Sequence, residues 1–287
     1  MIEEQRQGLI KRQGLTAADL VEIEHLAHIC NTCEGLDIKL NWSILRSRSS
    51  DEINDLFYYQ QGRLVGYLAI YVFNSHEAEI SGMVHPDYRR QGIFSMLLRQ
   101  ASEECRWRGV KKLFLIVEQN ARSGLAFVTA LSAHYHHSEY RMVLSELRAS
   151  TSFAPDLEFR PARPDERAIL AHITATAFEI DEEVASYDFG DSSRRSYVAL
   201  LNDVYIGKIE VWFDEQEAFI YGFGVLPEYQ HKGYGRQMLV RAVQEVYAMG
   251  LRDVALEVEV KNESALALYH SCGFHEISRY DYYSYMI

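Results

Sequence analysis

Val225-Leu226-Pro227-Glu228-Tyr229-Gln230-His231-Lys232-Gly233-Tyr234-Gly235 has a near copy upstream, Val84-His85-Pro86-Asp87-Tyr88-Arg89-Arg90-Gln91-Gly92-Ile93-Phe94. Val, Pro, an acid, Tyr and Gly recur at an offset of 141 positions. Each copy follows a β-rich stretch. Each precedes an amphipathic helix ending near a glycine, Gly109 or Gly250, then an apolar strand and an asparagine, Asn120 or Asn262. Two repeats of this size indicate duplicated domains rather than a solenoid.

The expected division is 1–150 for a degenerate N-terminal domain and 157–287 for the domain carrying the site. The join is expected in the Ser-, Thr-, Ala- and Pro-rich stretch from Ala149 to Asp156. An extra leader precedes the first helix of the first domain.

In the second copy, Leu157–Pro161 reads as a strand and Pro164–Phe178 as a helix. Arg195–Leu201 and Val204–Phe213 read as strands around the turn Asn202-Asp203. Glu217–Val225 is a further strand. Gly233–Met249 is a helix with Met238, Leu239, Ala242, Val243 and Val246 on one face. Val254–Val260 is a strand, Glu263–Ser271 a short helix, and Ile277–Met286 a tyrosine-rich pair of strands. The order gives an α/β class with a mixed, mostly antiparallel twisted sheet flanked by helices in each domain.

The 287 residues suit two domains, and 48% apolar content suits a sizeable core. No apolar run reaches the roughly 20 residues of a membrane span, and the N-terminus lacks the order of a secretion signal. The expectation is a cytoplasmic protein, monomer or homodimer, with no membrane partner. A formal charge of −12 disfavours nucleic acid as a partner and suits either plain solubility or attraction of a cationic substrate. The four cysteines do not make a disulfide scaffold. Cys30-Asn31-Thr32-Cys33, near His25 and His28, is half of a zinc pattern without its second half, and His134, His136 and His137 form the other histidine cluster. No metal is expected.

Gln230-His231-Lys232-Gly233-Tyr234-Gly235-Arg236 joins a strand to a helix. The first amides of a helix have no partner within it, and the dipole is positive there, so a diphosphate can sit at this point. Gly233 and Gly235 remove Cβ atoms that would hold a phosphate off the backbone, and Lys232 and Arg236 add positive charge.

On these residues, Val225–Gly235 resembles the acyl-CoA motif of the GNAT superfamily of N-acetyltransferases, (Q/R)-x-x-G-x-(G/A). The resemblance runs from about Phe159 to Ile287. It implies acetyl-CoA as acyl donor, with its pyrophosphate on the amides of the loop 230–236. It also implies a splayed strand whose Val225 region meets pantetheine and offers an amide to the oxyanion. In the first copy Phe94 replaces the last small residue, which makes acyl-CoA binding there doubtful.

Amide formation from a thioester needs a neutral amine. A lysine-like amine is neutral only about once in 2,500 at pH 7, a cost of about 4.6 kcal/mol, so a base is required. Tyr269 is the candidate acid for the departing thiolate. Asn262 and Tyr269 lie along one helix face about 10 Å apart, which suits a pantetheine arm running between them. An N-cap at 262 and a core tyrosine at 269 remain the alternative. The segment Asn262…Tyr269…Cys272-Gly273-Phe274 resembles the family's second motif, including its tyrosine acid. Leu256-Glu257-Val258…Asn262…Leu268-Tyr269 resembles ribosomal-protein N-terminal alanine acetyltransferases, in which the glutamate is the base. Strand alternation places Glu257 and Glu259 opposite Leu256, Val258 and Val260, which fits a base or a solvated face alike. Glu217, or a base acting through water, stands in reserve.

In the first copy Leu115 or Ile116 stands for Glu257, and Phe127 or Val128 for Tyr269, so that copy is expected to be silent. Glu118 and Tyr135 stay open there. Cys272, beside only His270, is not expected to be a nucleophile.

The expected function is transfer of an acetyl group from acetyl-CoA to a small-molecule or peptide primary amine, by direct attack in a ternary complex. The alternative is a non-catalytic acyl-CoA sensor or scaffold. A third reading is an unusual acceptor as in mycothiol synthases, likened here only through their two GNAT copies. The acidic, aromatic stretch Phe178–Glu183 with Tyr187-Asp188-Phe189 either lines the acceptor site or is an exposed loop.

Overall fold

The computed structural model describes residues 6–48, 51–72, 74–148, 153–180, 189, 193–214 and 217–287. The chain divides into two compact units, Met1–Ser138 with Ser278–Ile287, and Glu139–Ile277.

The first unit begins with strand β1 (Gly8–Arg12), helix α1 (Ala17–Glu34) and helix α2 (Trp42–Ser47). The expected leader is therefore a strand of the sheet: β1 pairs antiparallel with β2 (Asp55–Gln60) over Gly8↔Tyr59 to Arg12↔Asp55. Thr16 and Asp19 close a capping box at the start of α1, and Gly35 ends the helix in the left-handed conformation. Strands β3 (Arg63–Val72) and β4 (Glu77–Val84), helix α3 (Ile93–Trp107), strand β5 (Lys112–Glu118) and helix α4 (Arg122–Ala130) follow. Strand β6 (His134–Leu144) begins in the first unit and ends in the second.

The second unit continues with β7 (Leu157–Pro161), a 3-10 turn, α5 (Arg167–Phe178), β8 (Arg194–Leu201), β9 (Val204–Phe213), β10 (Glu217–Val225), α6 (Tyr234–Ala248), β11 (Asp253–Glu259) and α7 (Glu263–Cys272). Asn202 and Asp203 both take positive φ, 49° and 64°, as a tight hairpin turn requires. Strand β12 (Phe274–Met286) is one strand, not the expected pair. It contains no glycine, proline or asparagine that would turn it.

Each sheet is mixed. In the first unit β4 and β5 run parallel, and β5 pairs antiparallel with Tyr280–Met286 of β12. In the second, β10 and β11 run parallel, and β11 pairs antiparallel with Glu139–Val143 of β6. The packing boundaries thus fall at 138/139 and 277/278, away from the join that the repeat suggested. The long strands β6 and β12 each begin in one unit and end in the other, and residues 149–152 lie outside the described residues.

One apolar core fills the α3 and α4 side of the first sheet. Its counterpart unites α6 and α7 with Val254, Leu256 and Val258 of β11. Among the described residues no helix is long and apolar enough to cross a membrane.

Candidate active site

The site is built where β10 and β11 part. Their parallel ladder runs only from Glu217↔Asp253 to Ile220↔Leu256, although β10 continues to Val225 and β11 to Glu259. Just past the last pair, β10 carries a bulge against β9: Tyr221 pairs with Glu210 and Gly224 with Lys208. Gly222 and Phe223 therefore face a single residue, Ile209, which breaks the ladder and bends the strand. Gly222 sits at φ 53°.

The strand β4 of the first unit pairs with β3 without any shift from Gly66↔Val84 to Val72↔Ala78. The bulge is one inserted residue. Glu77-Ala78-x-Ile80-x-Gly82 matches Glu217-Ala218-x-Ile220-x-Gly222 at an offset of 140, and Val84 matches Val225 at 141.

The loop after β10 holds its shape from within. The Gln230 Nε2–H donates to Val225 O at 2.9 Å. His231 takes φ 57°, and Gly233 caps α6 at φ 83° and ψ −1° with nothing within 4 Å of where a Cβ would stand. No side chain caps α6, and its first internal bond runs from Gln237 N–H to Gly233 O at 3.3 Å. Among the described residues, nothing occupies the amides of Tyr234, Gly235 and Arg236. They form an open anion cradle. The loop residues 230–233 are exposed. Lys232 lies over the Tyr229 ring, Nζ 5.6 Å from its centre, and the Tyr229 and Tyr234 rings stand 6.5 Å apart.

Gly235 differs from expectation. A Cβ there would meet Leu268 at 3.5 Å, Phe223 at 3.6 Å and Val225 at 3.7 Å. Its bare Cα therefore faces the opening beside β10, while Gly233 is the glycine that backbone geometry demands.

Tyr269 lies in the core beside α6, its ring 6.4 Å from that of Phe223 and 6.0 Å from that of Phe274. Burial pushes its phenol well above the ordinary value, with Cys272 adding to the shift. Its hydroxyl has no hydrogen-bond partner among the described residues. Asn262 is an exposed N-cap whose side chain accepts from Ala265 N–H at 3.0 Å.

Glu257 alternates away from Leu256 and Val258, which join the core with Tyr269, and it stands in register with Arg141 of β6. Glu257 and Tyr269 thus belong to opposite faces of the sheet beside the same opening. Glu217 is held by Arg141, with both oxygens at 2.7 Å from Nη2. Burial raises the Cys272 thiol, against the pull of Arg236. His270 is engaged elsewhere, with Glu276 at 3.0 Å and Phe274 O at 3.3 Å.

The sequence left out one pair. Lys208, almost fully buried, forms an ion pair with Glu210 beneath the bulge. The signal was present: Lys208-Ile209-Glu210 replaces Tyr67-Leu68-Ala69 of the first copy. Residues 181–188, most of the acidic stretch after α5, lie outside the described residues.

The first unit keeps the loop backbone. Arg89 Nε–H donates to Val84 O at 3.0 Å, Arg90 has φ 63°, and Gly92 has φ 79° and ψ 4°. The opening differs. Phe94 stacks edge-on with Phe127 at 4.9 Å. The ladders make Ile116 the counterpart of Glu257. The caps of α4 and α7 make Ala121 the counterpart of Asn262, in place of Asn120, and Val128 that of Tyr269. Cys30 is buried and Cys33 exposed, and no group of three metal-type side chains converges among the described residues.

The acetyltransferase (GNAT) family model matches residues 20–129 and 158–274. An uncharacterized N-acetyltransferase, YycN of Bacillus subtilis, is 44% identical over 62 residues, 22% of this chain and 40% of that protein. The [ribosomal protein bS18]-alanine N-acetyltransferase of Escherichia coli is 40% identical over 68 residues, 23% of this chain and 46% of that protein. The chain thus spans under half the length of these two relatives. A mycothiol acetyltransferase of Paenarthrobacter aurescens is 27% identical over 246 residues, 72% of this chain and 70% of that protein. That match is longer than either copy alone. A GCN5-related N-acetyltransferase from Sphaerobacter thermophilus superposes with a TM-score of 0.79 at 18% identity, over 97% of this chain and 95% of that one. A tandem GNAT protein from the clavulanic acid biosynthesis pathway superposes at 0.74 and 17%, over 97% and 98%. With both halves matched by one family model, the chain belongs to the acetyltransferase (GNAT) family.

Proposed function

We propose that the second unit transfers an acetyl group from acetyl-CoA to a primary amine by direct attack within a ternary complex. The observation that carries this reading is the bulged, splayed β10 running into an uncapped helix start. The fit is favourable: the cradle has open amides, a glycine at φ 83° and no Cβ in the way.

The amides of Lys232 to Arg236 would hold the pyrophosphate, with Gln230, His231, Lys232 and Arg236 shaping and charging the rim. Val225 and the strand before it would pair with the pantetheine arm, and Asn262 would flank it. Acetyl-CoA supplies an activated thioester. An amide freed by the bulge donates to the oxygen that gains charge. Glu257, on one face, takes the proton from the attacking amine. Tyr269, on the core face, keeps its proton because burial holds it there, and donates a hydrogen bond to the departing sulfur. Supply from opposite faces lets the amine enter while the thiolate leaves.

The first unit, with Phe94 in its opening and Ile116 and Val128 at the two chemical positions, serves as a silent partner domain. The protein works as a soluble cytoplasmic enzyme.

Calorimetric titration with coenzyme A tests the cradle, and an acetyl-CoA consumption screen over amines, polyamines, aminoglycosides and N-terminal peptides tests the reaction. Absence of heat with coenzyme A would refute the reading. Tight binding without turnover in every arm would favour an acyl-CoA sensor.

A further inference from the structure

The ion pair Lys208–Glu210 has no role in the site described above, yet its placement is specific. Lys208 opposes Gly224 and Glu210 opposes Tyr221, so the pair brackets the bulge from the neighbouring strand. The Lys208 side chain is 1% exposed and that of Glu210 12%. A Cβ at Gly222 would lie 2.8 Å from Glu210 Oε1 and 3.1 Å from Lys208 Nζ. The glycine therefore lets the pair lie against the bulged backbone.

The pair and the bulge occur together. In the first unit the strand is regular, and the corresponding residues are Tyr67 and Ala69. Tyr67 turns its hydroxyl to Asp55 at 2.6 Å. A buried ion pair is a poor device for stability, because desolvation offsets most of the attraction. At these two positions β3 carries no charge, with Tyr67 and Ala69 in place of the pair. The pair also faces the α5 side of the sheet, since the neighbouring Gly224 packs against Ala177 of α5. Glu257 belongs to that side, opposite the core that holds Tyr269.

A carboxylate has two oxygens and about four acceptor sites, so Glu210 can hold Lys208 and still accept from a second cation. We propose that Glu210, clamped by Lys208 against the Gly222 bulge, receives the ammonium group of the acceptor, which makes the acceptor class a cationic primary amine. This rests on the reading of β10 and α6 as an acyl-CoA site. Glu210 fixes the incoming nitrogen beside the bulge, and the proton is left for Glu257. Lys208 limits the swing of Glu210.

The test uses the full chain with three acceptors: spermidine, tetra-alanine amide, and aniline, which is uncharged at neutral pH. Glu210→Gln removes the anchor. Because that change leaves Lys208 buried without its counter-charge, Lys208→Met/Glu210→Gln removes the pair together and preserves packing. In both variants KM for the two cationic amines should rise roughly tenfold to a hundredfold, the loss of one charge-assisted contact. Their kcat, the kinetics with aniline and the Kd for coenzyme A should stay within about threefold. An unchanged KM for the cationic amines overturns the proposal. So does an equal loss with aniline, or a wild type that binds coenzyme A but turns over neither cationic amine. Failure of the wild type to bind coenzyme A removes the acyl-CoA reading itself, a separate outcome read in a separate experiment.

Discussion

The Phe94 ring lies where a side chain at Gly82 would have to be: a Cβ on Gly82 would come within 2.9 Å of Phe94 Cε2. The second unit reverses the sizes. Phe223 stands two residues before Val225, as Gly82 stands two before Val84, and it faces Gly235, the counterpart of Phe94. One large and one small residue share each opening. In the first unit the large one projects from the helix and meets Phe127 across the gap. In the second it projects from the strand, leaving the helix start bare.

Coenzyme A should therefore bind once per chain, in the second unit. Gly235→Phe should weaken it by more than about a hundredfold in calorimetry, through lost backbone approach at the helix start. Phe94→Ala should leave that binding intact. Its cost should be about 2 kcal/mol in urea unfolding, below the ~3–5 of a fully enclosed ring, because Phe94 is only half-buried. A stoichiometry of two would contradict a closed first unit.

Tyr269→Phe separates chemistry from packing. The hydroxyl has no partner among the described residues, so its loss should change stability by no more than about 1 kcal/mol. The turnover number should fall roughly a hundredfold, the lower end for a lost proton donor, with the Kd for coenzyme A unchanged. Burial raises this phenol above its ordinary value near 10, so it remains protonated through neutral and mildly alkaline pH. The pH–rate profile should accordingly show no loss from Tyr269 below about pH 10. An alkaline limb near pH 8 that vanished in Tyr269→Phe would contradict the raised phenol, and an unchanged turnover number in Tyr269→Phe would exclude it as the acid.

Much of this arrangement was legible in the residues. Repetition around Pro86 and Pro227 fixed the duplication, and glycines at 92 and 233 marked both helix starts, because a left-handed cap admits little else. The bulge was harder to see. The inserted residue in Phe219–Val225 looks like ordinary strand, and only the step in offset from 140 to 141 betrays it. Matching Asn120 to Asn262 needs an offset of 142, whereas the offset of 141 carried on from the loop leads to the actual cap, Ala121. The Lys208–Glu210 pair escaped because a charged residue in a strand ordinarily signals solvent, and its burial follows from neighbours distant in sequence. The sharing of β6 and β12 between units was invisible for a similar reason: strand partners are set by tertiary packing, not local pattern.

Two glycines near the opening should respond oppositely to alanine. At Gly222, φ of 53° disfavours any Cβ by about 1–2 kcal/mol, and the new methyl would press on Glu210. Gly222→Ala should lower the unfolding free energy by at least that much and reduce turnover. At Gly235 the neighbours stand at ordinary contact distance and the residue is helical. Gly235→Ala should keep or slightly raise stability, by about 0–1 kcal/mol, and preserve coenzyme A binding. Equal effects at both sites would show that backbone geometry does not distinguish them.

Glu166 makes the second unit acid-sensitive. It is 2% exposed and accepts from Arg160 at 2.9 and 2.6 Å, Arg163 N–H at 2.7 Å, Arg163 Nη2 at 2.9 Å and the Tyr205 hydroxyl at 2.5 Å. Hydrogen bonds from Arg160, assisted by Tyr205 and the Arg163 amide, hold its carboxyl far below the usual carboxylate range against the penalty of burial. The unfolded chain therefore binds a proton here before the folded one does. The stabilisation is fully present above the unfolded value near 4.3, and it is lost as pH falls through that value toward the folded one. Glu166→Gln should cost about 2–4 kcal/mol at pH 7, since it takes from Arg160 its buried counter-charge and leaves only the exposed Glu158. Urea unfolding of wild type and variant at pH 7, 5 and 3.5 checks both statements. The gap between them should hold from 7 to 5 and narrow by 3.5, and a gap that stayed constant to pH 3.5 would mean that the network contributes packing rather than charge.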